Sequence, residues 1–267
     1  MDEFQRRDIP LTIGIIGGEQ FMFGVDPKIT DYVKDRLSSK KDTIKIANHG
    51  WVHENFTAYD QKTQSDLLKK SNERISEILG IIPRTFIPPF NEFNDNTVLA
   101  LQENQFTHFS PSLITGSYFL ENSELYNFPE TSSTGQIRDL GLFEGISHEQ
   151  TFEEIKTGLD NFGFAVVMMH PQEFSIIKDG TYTNVVNDNQ IKELGLLIDS
   201  IQDAGLQIVF LEDIDKNVQS YNILIPGWFE KTLQWHSEGK MTQAEFSDTM
   251  DYLKRQGIVK FITSDYT

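Results

Sequence analysis

The stretch Ile44-Lys45-Ile46-Ala47-Asn48-His49-Gly50-Trp51-Val52-His53 decides the reading of this chain. Its first positions alternate apolar and polar residues as a strand does, and the alternation stops where the two histidines begin. Imidazoles at i and i+4 project from one side of a helical turn, so a strand-to-helix junction would aim both rings at a single ion. His49 and His53 are therefore candidate metal ligands; the alternative is two surface histidines on a loop. The chain has no cysteine, which excludes disulfides and thiolate ligation and leaves His, Asp, Glu or water to hold any metal.

On the amino-terminal side, residues 2–8 read as the last turns of a helix, because Phe4 lies on a polar background and Ile9-Pro10 breaks the pattern. Residues 11–16 form a short apolar run closed by Gly17-Gly18, as a buried parallel strand would. Asp26 and Pro27 read as the N-cap and first residue of a helix reaching about residue 38. On the carboxyl side, a helix over 61–79 gathers Leu67, Leu68, Ile75, Ile78 and Leu79 and ends at Gly80. A strand at 85–88, a helix near 96–102 and a strand near 106–109 continue the alternation, and 110–145 reads as long loops with short strands. Ser147 with Gln150 makes a capping box for a helix to 161, Gly163 turns the chain, and 164–169 reads as a buried strand. A last helix near 189–204 leads to a strand at 207–211. Repeated strand–helix alternation predicts an α/β fold with a parallel sheet, closed as a barrel, over residues 1–217. In such barrels chemistry gathers at the carboxyl ends of the strands, where His49, Pro89-Phe90 and His170 all fall.

A composition shift at 217–222 reads as a linker to a small helical module, 223–262. Ile225-Pro226-Gly227-Trp228 opens its first helix, which carries Leu233 and Trp235; Thr242 caps its second. So short a segment lies near the lower limit for an independent core, and it reads equally as a module for a protein partner or self-association and as a cap packed on the barrel. With 23 basic against 40 acidic residues the net charge is −17, which argues against nucleic acid and anionic membrane surfaces as partners. The longest apolar runs, 11–16 and 162–169, fall short of the ~20 residues of a membrane span. The segment Met1-Asp2-Glu3-Phe4-Gln5-Arg6-Arg7 lacks the apolar stretch of a signal peptide, and the compartment stays open, an extracytoplasmic envelope included.

His49-Gly50-Trp51-Val52-His53 resembles the H-(S/T)-x-x-H metal motif of the polysaccharide deacetylases that share the NodB homology domain. Ile87-Pro88-Pro89-Phe90-Asn91 resembles that family's Arg-x-Pro-(Phe/Tyr)-Gly segment, and Val166-Val167-Met168-Met169-His170-Pro171 resembles its late strand ending in histidine. The likeness spans roughly residues 4–215. It implies an irregular, TIM-like seven-stranded β/α barrel. It also implies a hydrolase that removes acetyl groups from N-acetylated glycans through a water activated by a divalent metal, zinc by expectation. By the same resemblance His49 and His53 are metal ligands and His170 is the general acid that protonates the departing amine, a task suited to a group titrating near neutrality. Pro89 and Phe90 would wall a sugar-binding groove, Trp51 would offer a second stacking surface, and Asn91 would bond hydroxyls. Against these stand plainer roles: a buried histidine bonded to backbone, Phe90 in the core, Trp51 as packing that fixes the ligand rotamers, and Asn91 as a loop residue. The C-terminal module resembles short Trp-rich helical modules of archaeal envelope-associated proteins.

Two departures from the pattern shape the expectation. The family's Asp-Asp pair, which supplies the base and one ligand from the first barrel strand, has no counterpart, since the sequence contains no Asp-Asp dipeptide. Ile87 stands where the family has its arginine, Arg84 lies too early, and Gly50 replaces the usual Ser or Thr. The chain is thus expected to be an N-terminally incomplete deacetylase-like protein with its first strand missing and its activity impaired. Glu19, Glu212 and Asp213 are the carboxylates placed to substitute. A non-catalytic carbohydrate-binding or scaffold protein, and an amidase acting on a non-sugar amide, remain the alternatives.

Overall fold

The computed structural model describes residues 1–18, 26–39, 42–112, 125–138 and 141–214, with 232, 235, 239–242, 245–246, 248–249 and 252 beyond them. The expected module at 223–262 therefore lies largely outside the described residues, as does Glu19. The chain divides into two compact units, one made of residues 3–129 with the segment from 210 onward, the other of residues 130–209.

The first unit contains α1 (Asp2–Arg7), β1 (Leu11–Ile15), α2 (Pro27–Leu37), β2 (Ile44–Asn48), α3 (Gln61–Leu79), β3 (Thr85–Phe86), α4 (Asp95–Glu103), β4 (His108–Phe109) and β5 (Tyr126–Asn127). The five strands form one all-parallel sheet in the sequential order β1-β2-β3-β4-β5. An order without reversal is that of a barrel wall and differs from a doubly wound sheet, whose strand order turns back at a switch point. The expected α/β class with a parallel sheet and flanking helices is thus what the chain forms. Register aligns Ile15 with Asn48, Asn48 with Phe86, Phe86 with Phe109, and Phe109 with Asn127, so the carboxyl ends of all five strands lie level. His49 and Ile87 are the first residues beyond that line on adjacent strands.

Helix boundaries follow local chemistry. The Asp26 side chain accepts from the Lys28 N–H ahead of Pro27, Asp60 accepts from Thr63, and Asn94 forms a reciprocal capping box with Thr97. Gly80 ends α3 in the left-handed conformation at φ 70°. The sheet packs on α3 and α4 through Phe56, Leu68, Phe86, Leu101, Phe106 and Phe109. The Phe86 ring stacks parallel to Phe109 at 6.2 Å and meets Phe56 edge-on at 5.0 Å. A second cluster joins Ile15, Val33, Ile44, Ile46 and Ile75 between α2, α3 and the first two strands.

The second unit contains β6 (Ser132–Ser133), β7 (Gly135–Ile137), β8 (Phe143–Gly145), α5 (His148–Phe162), β9 (Val167–Met168), β10 (Ser175–Lys178), β11 (Thr181–Val186) and α6 (Asp188–Asp203). β6 and β9 pair in parallel, while β7 with β8 and β10 with β11 are antiparallel. Ile155 of α5 packs against Leu197 and Ile201 of α6, supported by Phe152, Leu159 and Val167.

Two local expectations need correction. The run 164–169 is strand only over Val167–Met168 and is half-buried after Phe164, because it pairs with a two-residue partner rather than a long neighbour. Residues 207–210 join no strand ladder, and Leu211–Asp213 forms a 3-10 turn. The hairpin β10–β11 turns at Asp179 and Gly180, both at positive φ (51° and 73°), as a tight primed turn requires. Among the described residues no helix is long and apolar enough to cross a membrane.

Candidate active site

At the carboxyl edge of β2 the His49 N–H donates to the carbonyl of Ile15 at 2.8 Å, which holds the residue on the sheet line. Its ring Nδ1 lies 2.7 Å from the carbonyl oxygen of Ile87. A carbonyl only accepts, so Nδ1 carries the proton, and in the neutral imidazole Nε2 carries the lone pair. The His53 ring meets His49 edge-on with centroids 4.9 Å apart. The two histidines are thus brought together, but not by a helical turn as their spacing suggested. Gly50 at φ 82° and His53 at φ 58° both take left-handed backbone, and the segment between them is a bend.

That bend is hydrogen-bonded on every side. Asn48, fully buried, accepts the Gly50 N–H at 2.8 Å and donates to Asn72 Oδ1 at 2.8 Å; Asn72 in turn donates to the Pro83 carbonyl. The Gly50 carbonyl accepts from the Gly17 N–H at 3.0 Å and from Ser71 Oγ at 2.9 Å. The buried Glu54 carboxylate accepts the Trp51 N–H at 3.1 Å and the Val52 N–H at 2.6 Å. Gly17-Gly18 permits this docking by lacking side chains. A Cβ at Gly17 would stand 2.9 Å from the Ser71 Cα, and one at Gly18 would collide with the Trp51 carbonyl. Sequence reading took that pair only as a strand terminator and missed Glu54, Asn48 and Ser71.

The second segment beside the histidines is Pro88-Pro89-Phe90-Asn91. Both prolines are buried, whereas Phe90 is 61% exposed and its ring meets His53 edge-on at 4.5 Å. Phe90 is therefore not a core residue. Phe90 and Asn91 are successive non-glycine residues at positive φ (58° and 60°), a strained arrangement of the kind that clusters at functional sites. Trp51 is half-buried, with Lys70 Nζ of α3 4.0 Å above its ring, so one face of the indole is already covered. Of the carboxylates weighed as substitutes, Glu212 accepts from Thr85 Oγ1 at 2.8 Å and pairs with Lys45 at 3.3 Å, and Asp213 pairs with Lys45 too. Those partners lie on the amino-terminal parts of β2 and β3, away from the histidine edge.

In the second unit His170 precedes a 3-10 turn. Its N–H and its Nδ1 both meet Glu173 Oε1, at 2.9 and 3.1 Å, and its ring lies 4.2 Å from that of Phe143. Glu173 is buried, accepts from Thr134 Oγ1 at 2.7 Å, and fills the space where a Cβ on Gly135 would stand. His170 is thus bonded to a carboxylate as well as through its backbone. Elsewhere in the unit His148, Glu149 and Glu193 bring ligand-type atoms within 4.8 Å of one another, the one such three-residue group among the described residues. There Glu193 accepts the His148 N–H at 2.8 Å and meets its Nδ1 at 2.7 Å, and these bonds, the backbone one first, lower the carboxyl's pKa. Glu149 is also lowered, chiefly by a backbone hydrogen bond. No local spacing in the sequence announces this cluster, because Glu193 arrives from a different helix.

A parallel α/β sheet thus carries a histidine pair at its carboxyl edge, with a Pro-Pro-Phe segment beside it. Residues 4–109 match the family model described as polysaccharide deacetylase. No curated protein matches the chain. Among solved structures it is similar to a Mycobacterium smegmatis protein assigned to the polysaccharide deacetylases, at TM-score 0.56 and 16% identity over 82% of this chain and 75% of that one. It is similar to a peptidoglycan N-acetylglucosamine deacetylase, at TM-score 0.51 and 14% identity over 78% and 76% of the two chains. It is also similar to a CE4 family pseudoenzyme from Bacillus anthracis, at TM-score 0.50 and 16% identity over 77% of this chain and 55% of that one. Likenesses this distant speak for the fold.

Proposed function

We propose that this protein is a metal-dependent hydrolase of the polysaccharide deacetylase type, removing acetyl groups from N-acetylated glycans, with impaired turnover in this chain. The observation that carries the proposal is the His49–Ile87 bond, which fixes the tautomer a histidine ligand needs, next to a second imidazole 4.9 Å away. His49 and His53 would hold a divalent ion, and two imidazoles without thiolates suit zinc. When bound, the ion supplies Lewis acidity that polarises the acetamide carbonyl and activates water. The exposed Phe90 ring gives a sugar ring a surface to lie on, with Asn91 and Trp51 as further contacts. His170 supplies the proton that the departing amine takes up as the C–N bond breaks, and Glu173 orients its ring.

The absence of an Asp-Asp dipeptide supports the impairment. A general base is worth typically 10²- to 10⁴-fold, so turnover in this chain is low. The same observation favours a second reading, a glycan-binding protein without catalysis, since one fold serves both kinds of function. The test is acetate release from a chitin oligomer and from a peptidoglycan fragment, with zinc and with chelator, by the wild type and His49→Ala. Slow, zinc-dependent release lost in His49→Ala supports the hydrolase. Glycan binding with no release above the chelated control establishes the second reading.

A further inference from the structure

We infer that Glu54 is a positioning residue for the His49–His53 pair: by accepting the N–H groups of Trp51 and Val52, its carboxylate locks the bend that sets His53 against His49. This rests on reading the two histidines as metal ligands. His53 sits at φ 58°, a conformation unfavourable for a non-glycine residue that persists only where its surroundings over-determine it. The carbonyl and N–H of Gly50 are fixed by Gly17, Ser71 and Asn48, which anchor the His49 end of the bend. On the His53 side, the Trp51 and Val52 N–H groups point to one acceptor, Glu54, the residue that follows His53.

Chemistry and space both single out this carboxylate. A buried carboxyl needs hydrogen-bond partners, and Glu54, 7% exposed, finds them in the N–H groups of the bend itself. Its room comes from Gly50: a Cβ there would lie 3.2 Å from Glu54 Oε2 and 3.0 Å from Pro89 Cγ. Gly50 and Glu54 therefore act as one device. The glycine clears the space, the carboxylate occupies it, and His53 inherits the backbone that results.

Calorimetric zinc titration of the full chain tests this, with a zinc-free thermal melt of each variant to separate positioning from stability. The chains compared are the wild type, His49→Ala, Glu54→Ala, Glu54→Gln and Glu54→Asp. Glu54→Ala should lose zinc affinity on the order of 10- to 100-fold, the usual effect of removing a group that orients a ligand. Glu54→Gln keeps an accepting oxygen at the same reach and should lose less. Glu54→Asp keeps the charge but draws the oxygens back by a methylene, and should fall near the alanine variant. Should Glu54→Ala fail to fold, the Gln–Asp contrast carries the same reading. Wild-type affinity in the Ala and Asp variants, or equal losses in all three, would overturn the proposal while leaving the metal reading intact. Zinc binding by the wild type that is indifferent to His49→Ala would overturn the metal reading, and the proposal with it.

Discussion

Nδ1 of His49 lies 2.7 Å from the carbonyl oxygen of Ile87, while the Ile87 N–H donates to the Asn48 carbonyl at 3.0 Å. The strand ends of β2 and β3 are thereby joined through one residue whose backbone serves both, whatever its side chain. The consequence is a fixed histidine tautomer. Nitrogen-15 NMR of the neutral imidazoles should find His49 with its proton on Nδ1, unchanged in Ile87→Ala. A dominant Nε2-protonated form would show that the bond does not hold in solution.

Gly50→Ser restores the residue type of the two-histidine motif that this sequence resembles, yet it should destabilise the protein. The backbone is at φ 82° and a Cβ would press on Pro89 at 3.0 Å. The left-handed conformation alone costs a side-chain-bearing residue about 1–2 kcal/mol. A urea midpoint lowered at unchanged slope is the expected result, and an unchanged midpoint would mean that the bend relaxes freely.

Asn48→Ala removes a fully buried amide that serves both Gly50 and Asn72. Each buried polar group left without its partner costs on the order of 1–3 kcal/mol. Denaturant unfolding should show a loss larger than that of the exposed control Asn55→Ala.

The pairing of Glu193 with His148 sets a pH window. The Glu193 pKa is lowered in the folded protein, first by the His148 N–H and then by its side chain. Its contribution is therefore complete above the ordinary glutamate value of ~4.3 and is lost as pH falls through the lower folded value. Stability measured from pH 6 downward should decline less steeply below ~4.3 in Glu193→Gln than in the wild type. Identical acid limbs would remove Glu193 from the account.

What was legible in the sequence was local. Asp26-Pro27, Gly80, Ser147 and Gly163 mark helix ends by chemistry acting within a turn, and each stands where it was expected. The His49–His53 pair was found by spacing, although the conformation that unites the rings was not, since it depends on Gly50, Glu54, Ser71 and Gly17 together. Lys70 covering Trp51, Glu212 bound to Lys45, and Glu193 bound to His148 are contacts between distant segments, which periodicity does not carry. The hairpin at 175–186 did carry a signal, Asp179-Gly180 between β-prone residues, that the helix-and-strand alternation overshadowed. The strand expected at 207–211 reads apolar because Phe210 and Leu211 are buried, but burial does not require a ladder.

As proposed, His49 and His53 would hold a divalent metal. Anomalous diffraction at the zinc edge, from crystals grown with zinc, tests it most directly. A peak is expected about 2.0–2.1 Å from Nε2 of His49 and from a ring nitrogen of His53. A featureless map there, or zinc found at His148, Glu149 and Glu193 alone, would contradict it.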